Sequence, residues 1–110
     1  MDKDSAQIYI EHILGAIAGI ETFTQGLNFD TFTKDLKTQL AVTRELEIIG
    51  EASKRLPEAF KNDHNDIPWK KITGMRDFLI HDYLDIDLEI VWKAVIEDIQ
   101  QLKQALEKGN

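Results

Sequence analysis

Met75-Arg76-Asp77-Phe78-Leu79-Ile80-His81-Asp82-Tyr83 is the stretch whose reading decides the fold. It sets an arginine, a carboxylate, a histidine and a phenol into an otherwise plain amphipathic pattern. At about 100° per residue, Ile72, Met75, Phe78 and Leu79 gather on one side of a helix, and Arg76, Asp77 and His81 point away from it. Asp77 and His81 are four apart and within reach of each other, while Arg76 and Tyr83 share one stripe. The polar set therefore faces outward. Ile80 stands beside it as an apolar residue that a bundle core does not need, which predicts a contact surface there, for instance with a second copy of the chain.

Working outward, Pro68 suits the first turn of the helix that carries this stretch, and the helix is expected to end near Asp82 or Tyr83. Leu84-Asp85-Ile86 then reads as a short connection. Asp87 caps a last helix in which Leu88, Trp92, Val95, Ile99, Leu102 and Leu106 form one stripe. Toward the N-terminus, about Ser5 to Thr24 reads as a first helix with Ile10, Ile13, Leu14, Ile17 and Ile20 inward. Gly15 and Gly19 lie on its other side, tolerated there or making room for a neighbour. After a turn at 26–30, Asp30 or Thr31 caps a long second helix reaching about Leu56, with Pro57 ending it or opening a short one through Phe60. Residues 61–66 are polar and loop-like. No repeat, linker or alternating strand pattern is visible, so the expectation is a single all-α domain over 1–110, an up-and-down bundle of four or five helices.

Composition narrows the function. The 110 residues suffice for one core, and the absence of cysteine excludes disulfides and thiolate metal sites. The N-terminus lacks a signal-peptide pattern and no stretch approaches a membrane span, so a cytoplasmic protein without membrane attachment is expected. A net charge of −7 argues against indiscriminate nucleic-acid binding. The charge is uneven: residues 44–76 hold seven basic and six acidic side chains, and the remainder six basic and fourteen acidic. A local RNA groove fits that balance; a broad electrostatic footprint, or DNA binding, does not.

His81 is the candidate catalytic base, since it lies off the predicted core face with Asp77 at a spacing that would orient the imidazole. Arg76 is a permanent cation suited to gripping a phosphate. Asp77 has a second reading, as an ordinary surface pair with Lys70, Lys71 or Arg76. His12 and His64 read as surface residues, Trp69 and Trp92 as packing residues. Glu47 and Glu51 line a cleft or form a solvated face. Asp77 and His81 offer two ligands and no third, so no metal or other cofactor is expected.

Arg76-x4-His81-x-Tyr83, preceded by Ile67-Pro68-Trp69-Lys70-Lys71-Ile72-Thr73-Gly74-Met75, resembles the HEPN superfamily and in particular its HepT-like toxins. Residues 39–52, Asp85-Ile86-Asp87 and Val91-Trp92 extend the resemblance over roughly the whole chain. It implies a homodimer pairing the motif helices, with Arg76 and His81 of both copies in one cleft. It also implies a metal-independent endoribonuclease that promotes attack of a ribose 2′-hydroxyl on the adjacent phosphodiester. The enzyme would be the toxin of a toxin–antitoxin pair, and a MntA-like nucleotidyltransferase antitoxin would transfer AMP to Tyr83. Read without the family, Tyr83 is a helix-end tyrosine with its hydroxyl in water. The alternative function is a non-catalytic helical module that serves a partner nucleotidyltransferase.

Overall fold

The structure, a computed structural model, describes the backbone of residues 3–75, 80–82 and 85–108, and side chains over 6–75 and 86–108. It is an all-α bundle. Helix α1 (Lys3–Thr24) runs beside α3 (Leu36–Lys54), with a short α2 (Phe29–Phe32) between them in sequence. Short helices α4 (Glu58–Asp63) and α5 (Trp69–Thr73) follow. The chain closes with α6 (Leu88–Lys93), one π-helical turn (Ala94–Asp98) and α7 (Ile99–Lys108), which together form one long last helix. Among the described residues no helix is long and apolar enough to cross a membrane.

The core follows from the periodicity. Ile13, Ile17 and Ile20 of α1 meet Val42, Leu46 and Ile49 of α3, while Ile99, Leu102 and Leu106 of α7 close the third side; all are at most 1% exposed. Each such side chain contributes about 1.5–3 kcal/mol by leaving water. A partly buried ion pair ties α1 to α7, with Lys103 Nζ 3.1 Å from Glu21 Oε2, and Gln100 Nε2 donates to the same carboxylate at 3.3 Å.

Local chemistry sets the breaks. Gly26 at φ +79° takes the left-handed conformation that lets α1 stop. Two caps then replace the single cap expected at Asp30 or Thr31. Asn28 and Thr31 form a reciprocal capping box for α2, and Asp35 caps α3 by accepting from Thr38 N at 3.1 Å. The physical reason is Phe32, which is fully buried with its ring centroid 5.0 Å from that of Trp92. Gln39 Nε2 satisfies the Phe32 carbonyl at 2.9 Å, so the chain turns inward before α3 begins. Asp87 caps the last helix as expected, accepting from Ile90 N at 3.2 Å.

The second departure concerns the segment around the motif. A helix continuous from Pro68 to Asp82 or Tyr83 does not form. Gly74 caps α5 right after Thr73, donating to the Lys70 carbonyl at 3.0 Å. Residues 80–82 are extended instead (β1, Ile80–Asp82), pairing antiparallel with β2 (Asp85–Ile86) in the register Ile80↔Ile86 and Asp82↔Asp85. The β-branched Ile80 and Ile86 suit such a ladder, and Ile86 packs against the core just before the Asp87 cap. The expected 84–86 connection is thus partly the second strand of a hairpin.

Candidate functional site

The residues leading into Arg76 are held from three directions. Trp69 opens α5, and its indole N–H is shared between the carbonyls of Lys61 (3.1 Å) and His64 (3.0 Å), which fixes the end of α4 beneath it. Residues 61–63, expected as loop, are the last turn of that helix. Phe60 stacks on His64 at 4.4 Å, and His64 Nδ1 lies 2.9 Å from the Phe60 carbonyl, so that nitrogen carries the proton and donates. His64 is therefore half-buried scaffolding, more integrated than a surface residue. From the second side, α3 approaches so closely at Gly50 that a Cβ placed there would stand 3.1 Å from the Ile72 carbonyl oxygen. Ile72 and Met75 are buried beneath this crossing.

The third restraint joins α5 to the last helix. Lys71 Nζ lies 2.9 Å from Asp98 Oδ2, and Asp98 is 7% exposed. Among the described residues that buried oxygen makes an ion pair with Lys71 and no directed hydrogen bond. Asp98 ends the π-helical turn, whose extra residue per turn places Val91, Ala94, Val95 and Asp98 all inward. π-turns of this kind often accompany functional sites. Here the turn swings a carboxylate under the helix that delivers the motif.

Arg76, Asp77 and Tyr83 lie outside the described residues. Ile80 and His81 are placed by backbone in β1, with their side chains outside the described set. One inference from spacing therefore falls. Four-residue helical proximity between Asp77 and His81 requires a helix through residue 81, and residue 81 is in a strand. The outward direction assigned to Ile80 rested on the same helix. What the described residues do establish is the frame: the entry at 67–75 is clamped, and the exit at 86–87 is pinned by Ile86 and the Asp87 cap.

Sequence reasoning missed the close approach at Gly50 and the pairing of Lys71, considered there only as a partner of Asp77, with Asp98. The only local signal was an acid, Asp98, beside the apolar stripe, since its partner is distant in sequence. The remaining candidates sort plainly. His12 is exposed, edge-on to Tyr9 with ring centroids 6.4 Å apart. Trp92 packs on Phe32, as expected. Glu47 sits 3.8 Å from Arg44 and Glu51 3.5 Å from Lys54, which is a salt-bridged helix face.

A helical bundle that holds the segment leading into an Arg-x4-His-x-Tyr sequence between its second long helix and its last helix defines a class of protein. The family model described as "Ribonuclease HepT-like" matches residues 13–109, and the chain belongs to that family within the HEPN superfamily. It is 51% identical over 106 residues to "Probable ribonuclease HepT" of Thermococcus cleftensis, a match covering 96% of each chain. It is 43% identical over 110 residues to a candidate RNase of Methanocaldococcus jannaschii, covering 96% of this chain and 91% of that one. A candidate RNase of Caldanaerobacter subterraneus subsp. tengcongensis is 40% identical over 100 residues, covering 91% and 89%. No solved structure matches the chain significantly.

Proposed function

We propose that the protein is a metal-independent endoribonuclease and the toxin of a toxin–antitoxin pair. The observation that carries this reading is near full-length similarity to proteins named as ribonucleases, in a chain that contains Arg76-x4-His81-x-Tyr83. His81 takes the proton of a ribose 2′-hydroxyl as its oxygen attacks the adjacent phosphorus. The bond from phosphorus to the 5′-oxygen breaks, and that oxygen receives a proton from an imidazolium. The products are a 2′,3′-cyclic phosphate end and a 5′-hydroxyl end. Arg76 stabilises the negative charge that develops on the phosphoryl oxygens.

One chain offers one such histidine, so the acid and the base come from two copies paired across a two-fold axis, with Ile80 at the contact. Asp77, no longer placed one helical turn from His81, pairs with a neighbouring cation of the site. Tyr83 is the acceptor for inactivating AMP transfer by a MntA-like nucleotidyltransferase. An anionic phosphodiester and an adenosine placed there would occupy the site by charge and volume.

The test is cleavage of labelled total RNA by unmodified protein and by its His81→Ala variant, with and without a chelator. Cleavage that persists in chelator and drops at least about a hundredfold in the variant supports the enzyme. The net charge of −7 favours a second reading, a non-catalytic module serving a nucleotidyltransferase. Equal background from both proteins, with Tyr83 unmodified by mass, selects that reading and removes the first.

A further inference from the structure

Away from α5, α1 and α3 part to leave a cleft of about 300 Å³. Its α3 wall is built from Arg44, Ile48, Glu51 and Arg55, and its α1 wall from Tyr9 and His12. On α3 these residues recur at i, i+4, i+7 and i+11, a single straight stripe. At 100° per residue, Ile48 and Arg55 lie roughly 140–160° around the helix from Gly50, so the cleft opens on the opposite side from α5.

The charges in this cleft are unusual for so acidic a chain. Among the described residues Arg55 has no acidic partner, and Glu51 pairs with Lys54 instead, at 3.5 Å. Among the described residues Arg44 has only the loose contact with Glu47 at 3.8 Å, and its side chain is 70% exposed. In a protein of net charge −7, two guanidinium groups thus flank one cleft with most of their donors uncommitted. The Cα atoms of these two arginines are about 16 Å apart along the helix axis. Between them, Ile48 supplies an apolar floor, and the Tyr9–His12 pair supplies π-surface at an interplanar angle of 82°. The volume is at the small end of ligand pockets, which suits one small ligand or one unit of a polymer.

We propose that this cleft binds a nucleotide: a base lies against Tyr9 and Ile48, and phosphates are taken by Arg44 and Arg55. Arginines at both ends match a unit with a phosphate on either side, which is how a nucleotide occurs within single-stranded RNA. A free mononucleotide shares the chemistry but fills one end. Glu51 accepts from ribose hydroxyls and stays near neutrality of charge with Lys54. The inference rests on the ribonuclease reading only for preferring RNA over a free nucleotide.

The test uses full-length protein carrying His81→Ala, so that binding is read without cleavage. A short fluorescein-labelled single-stranded RNA is titrated by anisotropy against this protein and against the same protein with Arg44→Gln and Arg55→Gln. Loss of two phosphate contacts is expected to weaken binding about ten- to hundredfold and to lower the salt slope by about 1.4. In protein labelled at isoleucine methyls, RNA is expected to move the Ile48 resonance. AMP in a parallel titration separates the sources, since a shift with AMP alone assigns the cleft to a free nucleotide. An Ile48 resonance unmoved by both ligands, or an RNA affinity and salt slope unchanged by the arginine substitutions, overturns the proposal. Both arginines are exposed, and circular dichroism verifies that the variants fold. Binding here by a protein whose parent never cleaves RNA would reject the enzyme and keep the cleft, so the two failures are distinguishable.

Discussion

Two glycines on facing helices have opposite consequences when given a methyl group. At Gly50 the added Cβ would stand 3.1 Å from the Ile72 carbonyl oxygen and 3.6 Å from that of Thr73. Both are backbone atoms and cannot swing aside. Alanine gains up to about 1 kcal/mol in helix propensity, but overpacking a rigid contact costs about 1–3 kcal/mol. Gly50→Ala is therefore expected to lower Tm by several degrees. Because the displaced backbone leads directly into Arg76, any RNA cleavage should fall further than the lost stability explains. At Gly15 nothing stands within 4 Å of the added Cβ, so Gly15→Ala should raise Tm with activity unchanged. Thermal melts of the two variants check both signs. An unchanged melt for Gly50→Ala would mean that α5 can retreat from α3.

At the scale of elements, the caps and the π-turn carry the predictions. Asp35 has its carboxyl pKa lowered below the usual carboxylate value by the Thr38 hydroxyl first and the Thr38 backbone N–H second. A depressed folded-state pKa gives stability that is present above the unfolded value and lost as pH falls through the folded one. The start of α3 should therefore fray at acid pH, below the ordinary aspartate range, and Asp35→Asn should flatten that part of the pH profile measured by hydrogen exchange. The Lys71–Asp98 pair makes a second case. Lys71→Met keeps the aliphatic stem but leaves the Asp98 carboxylate buried without its counter-ion, at a cost of about 1–3 kcal/mol after allowing for partial exposure of the lysine. Adding Asp98→Asn to Lys71→Met should recover part of that loss in urea melts. Additive losses would show that the pair is not coupled. These elements also mark what was legible in the sequence. The Asp87 cap is a local signal and formed as read. Of the stripe Leu88, Trp92, Val95, Ile99, Leu102 and Leu106, the last four are buried, while Leu88 and Trp92 are partly buried and Val91 and Ala94 are buried in addition. Caps at Asn28 and Asp35 were misplaced because several Asx and Thr residues compete there, and burial of Phe32 under Trp92 decides among them. The hairpin at 80–86 was hidden by a helical run of apolar residues that Gly74 interrupts. The Lys71–Asp98 pair joins residues far apart in sequence, and no local pattern announces it.

For the molecule as a whole, charge and stoichiometry are the constraints. An acidic protein binds an RNA strand only where its cations are concentrated, and residues 44–76 hold seven of the thirteen basic side chains. That segment supplies α3 from Arg44 onward, α5, and Arg76 itself, so the proposed cut and the proposed nucleotide cleft draw on one stretch of chain. Affinity should fall steeply with salt, by a factor set by the few phosphates engaged. The chemistry imposes the second constraint. A single His81 cannot serve as both base and acid in one displacement, so the proposed enzyme needs two intact copies. When parent and His81→Ala chains are mixed and allowed to exchange subunits, cleavage should fall as the square of the parent fraction. An equal mixture then retains about a quarter of the parental rate, whereas one-chain chemistry would retain about half. Arg76→Ala mixed with the parent should give a gentler curve, because one remaining guanidinium can still reach the phosphoryl oxygens. A linear dependence for His81→Ala would place base and acid within one chain and remove the reason for a composite site.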